Sequence, residues 1–433
     1  MHEMKESGVE WIGAVPSDYR TASIGSLFTI KKDIIGREPE TVLSITQTGI
    51  RPKDLSSNEG QNASSYAHYQ IVNVGDFAMN HMDLLTGWID ISKYEGVTSP
   101  DYRVFTLNDK EMSADYFLRV FQYYYTNKVF FGFGQGVATL GRWRLPAINF
   151  KKIDVPVPPV LEQQRIVSAI DEKVGKVDAL IANVQTQIEK LKAYKQSLIT
   201  EVVTKGMDRT VPMKDSGVEW IGQIPKNYSV IRLRYLIKDY KAGPFGSALI
   251  TDQLNTSGDI LCYTPEHIAQ QHTESEKNLY LPENRRSEMS QFFVKAGDVI
   301  FPIVGSLGRA MVITDDMPSG IINQRLAKFS LLPEKIDAGY FMWLFAKSTF
   351  FQPFINLFQR GSFIVNLTKG IVYDMPFVIP ATIAKQKQIS EYLDQKCSQI
   401  DRLIAIKQAK IEKLEQYKRS IIYEYVTGKR EVM

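Results

Sequence analysis

The sequence predicts an α+β protein with two mixed α/β domains, each followed by a long helix. The two helices are expected to form an antiparallel coiled coil, which relates the two halves by pseudo-two-fold symmetry. Three observations lead to this prediction. A short sequence motif, called the box below, occurs at residues 4–19 and again at 213–228; apolar residues recur with a seven-residue period over two long segments; and the segments between each box and its helix share a faint strand-and-helix pattern. A chain of 433 residues is long enough for two or three domains.

The duplicated box opens each half of the chain. Residues 4–19 read MKESGVEWIGAVPSDY and residues 213–228 read MKDSGVEWIGQIPKNY, so eleven of sixteen positions are identical at an offset of 209. A second pair matches at eight of twelve positions with an offset of 223, IEKLKAYKQSLI at 188–199 and IEKLEQYKRSII at 411–422. Chance does not produce such matches, so the order box, domain, helix occurs twice.

The intervening domains share only a faint pattern. VNVGDFAMN at 72–80 resembles VKAGDVIFP at 294–302, and ADYFLRVF at 114–121 resembles AGYFMWLF at 338–345. We expect a strand that follows a Gly-Asp turn, and an amphipathic helix, in both domains. The two domains are therefore predicted to share a fold while their surfaces differ.

Apolar residues recur at steps of three and four through residues 170–202 and 393–425, which is the a/d pattern of a coiled coil. Pro158 and Pro159 precede the first helix and Gly206 follows it, as helix start and stop signals. Each seam is longer than one small domain can cover, which favours pairing of the helices with each other. The predicted seam residues are Val177, Ile181, Val184, Ile188, Leu191 and Leu198 in the first helix, and Ile400, Ile404, Ile411, Leu414 and Ile421 in the second.

The connection after the first helix decides the direction of pairing. The second box begins within a few residues of Gly206, so a parallel pair would need a long return of the chain. Antiparallel pairing avoids that return and places the C-terminal end beside the first box. Lys195 and Lys418 occupy matching seam positions, where they either extend out of the seam or set its register.

Composition excludes several classes of protein. Two cysteines cannot make a disulfide framework or a four-ligand zinc site, and no apolar run predicts a signal peptide or a membrane span. The net charge is +4, and residues 20–160 and 229–380 each contain 15 Lys and Arg against 14 Asp and Glu. Charge alone therefore does not predict nucleic-acid binding.

Catalytic motifs are also missing from the sequence. It has no phosphate-binding GxxxxGK[ST] loop, no Gly-x-Ser-x-Gly elbow and no Pro-Pro-aromatic methyltransferase loop. The glycine-rich FGFGQG at 131–136 lacks the strand–helix unit of a cofactor loop. The histidines form no metal-ligand pattern, and we expect His267 and His272 on the surface. We therefore predict no catalytic residue, no metal and no cofactor.

The motifs together resemble one protein family. The box MKxSGVEWIGxxPxxY, the segment PxPPxxEQQRI from Pro156 to Ile166, and the helix KLxxYKxS[LI]I are very similar to type I restriction–modification specificity subunits. The resemblance covers the whole chain. The second copy diverges mildly, with IPA at 379–381 and KQKQI at 385–389.

The resemblance implies a non-catalytic cytoplasmic protein that recognises double-stranded DNA. Each recognition domain would read half of a split target, and the coiled coil would set the gap. Two methyltransferase subunits and two restriction subunits would join it, and the methyl donor and ATP would bind those partners. The predicted segments are a box at 1–19, a first target-recognition domain at 20–160, a helix at 161–206, a linker and second box at 207–228, a second target-recognition domain at 229–382, a helix at 383–428 and a tail at 429–433.

Polar residues on glycine-rich loops are the candidate base readers, because short side chains and close backbone approach suit a DNA groove. Each of them could instead be an ordinary turn or a solvated charge. In the first domain the candidates are Gln47, Thr48, Arg51, Asn80, His81, Gln135, Arg142 and Arg144. In the second domain they are Lys241, Phe245, Ser247, Ser306, Arg309, Gln324, Arg325, Arg360, Ser362 and Asn366.

Two other classes of function compete with DNA recognition. One is an enzyme with an unrecognised site, which would bind a methyl donor on the isolated chain. The other is a coiled-coil scaffold, which would not retain DNA in a sequence-dependent way.

Overall fold

The structure is a computed structural model that describes residues 3–55, 63–136, 143–245, 248–305, 307–358 and 367–432. The chain forms two compact units. Unit 1 comprises the chain up to Gln185 and from Gln408 onward, and unit 2 comprises Thr186–Lys407. Each unit therefore contains a portion of both long helices.

Each half of the chain folds into short strands and helices that are followed by one long helix. The elements of the first half are β1 (Met4–Glu6), β2 (Ala14–Pro16), β3 (Arg20–Ser23), α1 (Ile24–Leu27), β4 (Phe28–Lys31), β5 (Leu43–Thr46), β6 (Gly49–Pro52), β7 (Gln70–Val72), β8 (Phe77–Met79), β9 (Ile89–Ile91), β10 (Gly96–Thr98), β11 (Arg103–Leu107), α2 (Ala114–Thr126), α3 (Val129–Gly132), α4 (Ala147–Lys152), β12 (Asp154–Val157) and α5 (Val160–Lys205). Those of the second half are β13 (Met213–Asp215), β14 (Gln223–Pro225), β15 (Tyr228–Arg232), β16 (Ile237–Ala242), β17 (Leu261–Tyr263), α6 (Pro265–Gln270), β18 (Asp298–Pro302), β19 (Met311–Val312), β20 (Gly320–Ile322), β21 (Leu326–Leu331), α7 (Ala338–Met342), α8 (Gln352–Phe358), α9 (Lys369–Asp374), β22 (Pro376–Pro380) and α10 (Ile383–Val426).

The two units contain sheets of the same strand order. An antiparallel four-stranded sheet has the order β4–β11–β8–β9 in unit 1 and β16–β21–β18–β19 in unit 2. A two-stranded ladder joins the start of each domain to its end, β3 with β12 and β15 with β22. Each box forms a hairpin, β1 with β2 and β13 with β14. The repeat seen in the sequence is therefore also a repeat of topology.

The predicted Gly-Asp turn precedes the same strand of the sheet in both units. Gly75 and Gly297 have φ values of 89° and 85°, a conformation that glycine adopts without a Cβ clash. The aspartates that follow, Asp76 and Asp298, are buried and accept hydrogen bonds from the backbone N–H three residues earlier, at 2.9 and 3.2 Å. The turn thus fixes the direction in which β8 and β18 run into their sheets.

Aromatic side chains fill the space between each sheet and its amphipathic helix. In unit 1 the rings of Phe105 and Phe121 lie 5.9 Å apart, and in unit 2 those of Phe329 and Phe341 lie 5.7 Å apart. All four side chains are fully buried. Burial of such a ring stabilises the fold by about 1.5–3 kcal/mol, so the predicted helices α2 and α7 are anchored by their apolar faces.

The long helices pair in antiparallel directions. In unit 2, Lys195 Nζ lies 2.6 Å from an Asp401 oxygen and Lys407 Nζ donates to Gln187 Oε1 at 2.5 Å. Residue numbers therefore rise along one helix as they fall along the other, and the predicted antiparallel coiled coil is confirmed. Of the predicted seam residues, the buried ones are Val177, Ile181, Val184, Ile188, Ile400 and Ile421, and the half-buried ones are Leu191, Leu198, Ile404, Ile411 and Leu414.

The helix ends agree with the sequence signals. Helix α5 begins directly after Pro159 and is followed by Gly206, whose φ of 77° ends the helix; Gly428 has the same role after α10 with a φ of 68°. Near the C-terminal end, Tyr423 Oη and Lys429 Nζ donate to the carbonyl oxygen of Ile12 at 3.2 and 3.0 Å. The C-terminal end therefore lies beside the first box, as predicted. Within the described ranges no helix is long and apolar enough to cross a membrane.

Candidate functional site

Three candidate loops of unit 1 lie side by side. The turn of the β5–β6 hairpin contacts the loop after β8, because Gln47 Nε2 donates to the carbonyl of Thr86 at 3.2 Å. The same loop contacts the third segment, where the N–H of Leu145 donates to the carbonyl of His81 at 2.9 Å. The structure therefore brings together residues that are distant in the sequence.

Most of the unit 1 candidates are exposed. Gln135 and Arg144 exchange backbone hydrogen bonds at 2.8 and 2.9 Å, which holds the two ends of their loop together. Asn80 is half-buried, and its Oδ1 accepts the N–H of Met82. Arg142 lies outside the described residues. The exposed candidates are Gln47, Thr48, Arg51, Gln135 and Arg144.

His81 differs from the other candidates because it is buried, with 6% of its surface exposed. Burial, followed by the positive charges of Arg103 and Arg144, lowers the pKa of His81 to about 3. Its Nδ1 is buried and has no hydrogen-bond partner in the described part of the chain. His81 is therefore neutral, and its side chain is buried although the neighbouring Asn80 is only half-buried.

The candidate loops of unit 2 also converge. A Cβ built on Gly243 would lie 1.9 Å from the carbonyl oxygen of Asn323, so only glycine permits this close approach. The N–H of Gly243 donates to Leu326 at 2.8 Å, and the N–H of Ile303 donates to Arg325 at 2.9 Å. The segments around residues 243, 303 and 325 therefore form one cluster.

The exposed candidates of this cluster are Phe245, Arg309, Gln324 and Arg325. Phe245 exposes 76% of its surface, unusual for a phenylalanine, while Lys241 is half-buried with Nζ 5.4 Å from the centre of the Phe292 ring. Five further candidates lie outside the described residues: Ser247, Ser306, Arg360, Ser362 and Asn366.

A basic and aromatic surface of unit 2 was missed in the sequence. Arg232 donates to Asp374 at 3.0 Å, Arg234 donates to the same carboxylate, and Lys369 Nζ lies 5.1 Å from the centre of the Tyr373 ring. Two cations thus bind one carboxylate and a third lies over the neighbouring ring, so the positive charges outnumber the negative one, and such a surface attracts phosphate. The Arg-Leu-Arg alternation at 232–234 is the sequence signal that could have indicated it.

The histidines of the described residues are possible metal ligands by their chemistry. Among the described residues, no group of three His, Cys, Asp or Glu side chains could hold a metal ion. The expectation that His267 lies on the surface was wrong, since it is 3% exposed. Its Nδ1 accepts the N–H of Thr264 at 3.0 Å, and Nε2 therefore donates to Asn278 Oδ1 at 2.8 Å. Both ring nitrogens are satisfied within the domain, as a structural histidine requires.

The fold and these loops define a class of protein. Two copies of one architecture carry different sets of exposed polar loops, and each copy is joined to paired long helices. Binding residues are commonly carried by exposed loops that strands and helices hold in place, which is the arrangement of these candidates.

Comparisons with known proteins show which proteins this chain is similar to. The model of the type I restriction modification DNA specificity domain matches residues 245–416. The type I restriction enzyme MjaVIII specificity subunit of Methanocaldococcus jannaschii is 26% identical over 284 residues, which are 65% of this chain and 63% of that protein. The putative type I restriction enzyme MjaX specificity subunit of the same organism is 22% identical over 433 residues, covering 96% of this chain and 95% of that protein. This chain therefore spans 63% of the length of the first relative and nearly all of the second.

Solved structures share the fold. A chain from a structure of a type I R-M system, described for its complex assembly and conformational transition, has a TM-score of 0.71 at 14% identity and covers 96% of this chain and 99% of that one. The HsdS subunit from Thermoanaerobacter tengcongensis has a TM-score of 0.53 at 14% identity, covering 96% and 98%. The resemblance found in the sequence is confirmed: the chain is similar to type I restriction–modification specificity subunits. The matching family model is described as a DNA specificity domain and both relatives are named as specificity subunits, which agrees with the interpretation of the chain as a recognition protein.

Proposed function

We propose that this chain is the specificity subunit of a type I restriction–modification complex, in which each unit reads one half of an asymmetric bipartite DNA target. The observation that carries the proposal is one shared sheet order displaying two different sets of exposed loops. Base readout depends on which side chains reach which base edges, so two loop sets require two half-sites.

The exposed candidates of each unit are the proposed base readers. In unit 1 they are Gln47, Thr48, Arg51, Gln135 and Arg144, and in unit 2 they are Phe245, Arg309, Gln324 and Arg325. Arginine can bond guanine and glutamine can bond adenine in a bidentate way. Asn80, Lys241 and the candidates outside the described residues remain predicted readers of the same loops. The cations around Tyr373 are proposed to contact phosphates, which position the protein without reading sequence.

The coiled coil is proposed to set the gap between the half-sites. Antiparallel helices of 46 and 44 residues would hold two domains at a fixed separation, as dimeric DNA readers hold two half-sites about one helical turn apart. The nearly balanced charge of each domain implies that partner subunits contribute to DNA affinity.

The proposed partners are double-stranded DNA, two methyltransferase subunits that methylate adenine, and two restriction subunits that cleave DNA. The methyl donor and ATP would bind those partners. The complex would act in the cytoplasm.

A domain exchange tests this function. Residues 20–160 are replaced by the corresponding domain of a relative, and methylated adenines are mapped in cells that also carry the methyltransferase subunit. We expect one half of the target to change while the other half and the gap are kept, because unit 2 is untouched. A change in both halves, or methylation without sequence dependence in the parent, would contradict the proposal.

A further inference from the structure

In each unit two buried hydrogen-bonded contact points join the domain to the long helices, in addition to apolar packing. In unit 1 the first point is Tyr116 of α2, which is fully buried. Its hydroxyl lies 3.1 Å from the carbonyl oxygen of Pro156 in β12 and 2.8 Å from that of Val426 at the end of α10. The last carbonyls of a helix have no donor within the helix, so this hydroxyl satisfies one of them.

Unit 2 repeats this contact at equivalent positions. Tyr340 of α7 is fully buried, and its hydroxyl lies 2.6 Å from the carbonyl oxygen of Val378 in β22 and 2.8 Å from that of Val203 near the end of α5. Val203 and Val426 are separated by the repeat offset of 223. In both units, therefore, the tyrosine joins its own domain to the long helix that belongs to the other half of the chain.

The second point joins each domain to the long helix of its own half. The backbone N–H of Ser113, which caps α2, donates to Gln163 Oε1 at 2.8 Å, and that of Asp337, which caps α7, donates to Gln386 Oε1 at 2.8 Å. Both glutamines are buried. These are the glutamines that the PxPPxxEQQRI segment and its diverged copy retain.

We propose that Tyr116 and Tyr340 are positioning residues that set the orientation of each domain on the coiled coil, and thereby the selectivity for the gap between the half-sites. The inference rests on the proposed bipartite function. Apolar packing also joins each domain to the long helices, but it is not directional. The tyrosine hydroxyl bonded to one long helix and the glutamine side chain supplied by the other are directional contacts, and together they define one orientation of the domain. One base pair turns the groove by about 35°, so a small change of orientation moves a reader away from its bases.

The test uses the complex of this chain with its methyltransferase subunits. Duplexes carry the native half-sites with the native gap or with a gap one base pair longer or shorter, and the ratio of methylation rates is measured. In Tyr116→Phe and Tyr340→Phe, the methylation rate on the native-gap duplex divided by the rate on the altered-gap duplex is expected to fall about ten-fold. This is the change that the loss of one buried hydrogen bond would cause, and the half-site sequences should stay the same. The ratio does not depend on the fraction of folded protein, since the same complex methylates both duplexes.

Tyr263→Phe is the matched control. Tyr263 is equally buried, but its hydroxyl donates to the carbonyl of Pro318 at 2.7 Å inside the domain, so its loss should lower stability and leave the gap ratio unchanged. If a tyrosine variant fails to assemble, Gln163→Leu and Gln386→Leu loosen the second point and should lower the same ratio. The inference is overturned if the tyrosine and glutamine variants keep the parental ratio. If the parent itself shows no dependence on gap or half-site, the proposed function fails instead.

Discussion

At the scale of single residues, a buried aspartate pairs with a lysine in each unit, but the two lysines lie on strands that are not equivalent in the two sheets. Asp76 lies 2.7 Å from Lys31 of β4, and Asp298 lies 3.1 Å from Lys328 of β21. A buried carboxylate is costly unless it is paired and hydrogen-bonded. Both units supply a lysine partner for the aspartate, but at different positions of the sequence. This is one reason why the two domains share a fold with so little common sequence.

The buried His81 makes the stability of unit 1 depend on pH. Its folded-state pKa of about 3 lies below the ordinary value of 6.5, so the unfolded chain binds a proton that the folded unit does not. The free energy of unfolding should therefore be fully retained above about pH 6.5 and fall as the pH decreases toward 3, by about 1.4 kcal/mol for each pH unit. In His81→Gln this dependence should be lost.

Thermal unfolding of the full chain between about pH 7 and about pH 5 measures the effect. The parent should lose stability with decreasing pH more steeply than His81→Gln. His272→Gln, at an exposed histidine, is the control and should behave as the parent does. Parallel pH profiles for the parent and His81→Gln would show that His81 does not carry the effect.

At the scale of elements, the helices carry the same ion pair twice. Lys195 lies 2.6 Å from Asp401 in unit 2, and Lys418 lies 2.7 Å from Asp178 in unit 1. The two lysines are equivalent positions of the repeat, as are the two aspartates, each separated by 223 residues. The seam lysines therefore extend out of the apolar interface toward a carboxylate of the opposite helix. In a shifted register of the two helices, that carboxylate would be too far from the lysine to form the ion pair.

A double-mutant cycle measures this register effect. We expect Lys195→Met and Asp401→Asn to be coupled by about 0.5–1 kcal/mol in the free energy of unfolding, since the pair is partly exposed and solvent screens it. The matching cycle with Lys418→Met and Asp178→Asn should give a similar value in the other unit. Additive effects in both cycles would mean that the lysine stems only cover the seam.

Periodic features of the structure were predictable from the sequence, whereas contacts between residues far apart in the sequence were not. The heptad seam, the Gly-Asp turns and the antiparallel direction follow from spacing and connection length, which act locally along the chain. The burial of His81 and His267 does not, because it depends on strands and loops that only the fold brings around them. The tyrosines Tyr116 and Tyr340 lay in a pattern recognised as an amphipathic helix, but their carbonyl partners are as far as 310 residues away in the sequence.

At the scale of the whole molecule, the repeat offers a way to change the gap without disturbing either unit's pairing. Removing residues 181–187 and 404–410 deletes one heptad from each helix and keeps the a/d phase. Asp178 and Lys195 lie on opposite sides of the first deletion, and Asp401 and Lys418 lie on opposite sides of the second. Both ion pairs therefore remain in register in the shortened coiled coil, whereas removing only four residues from each helix would break the seam.

The heptad deletion should shorten each helix by about 10 Å, at 1.5 Å per residue. This corresponds to about three base pairs of B-DNA and a rotation of about 100° around the duplex. Methylation of the native target should therefore be lost and should return only at a site whose gap is shorter by about three base pairs, with both half-site sequences unchanged. Mapping methylated adenines in cells that carry the variant and its methyltransferase measures the outcome, with the four-residue deletion as the unfolded control. If the heptad variant folds and still modifies the native target at full efficiency, the helices do not set the gap.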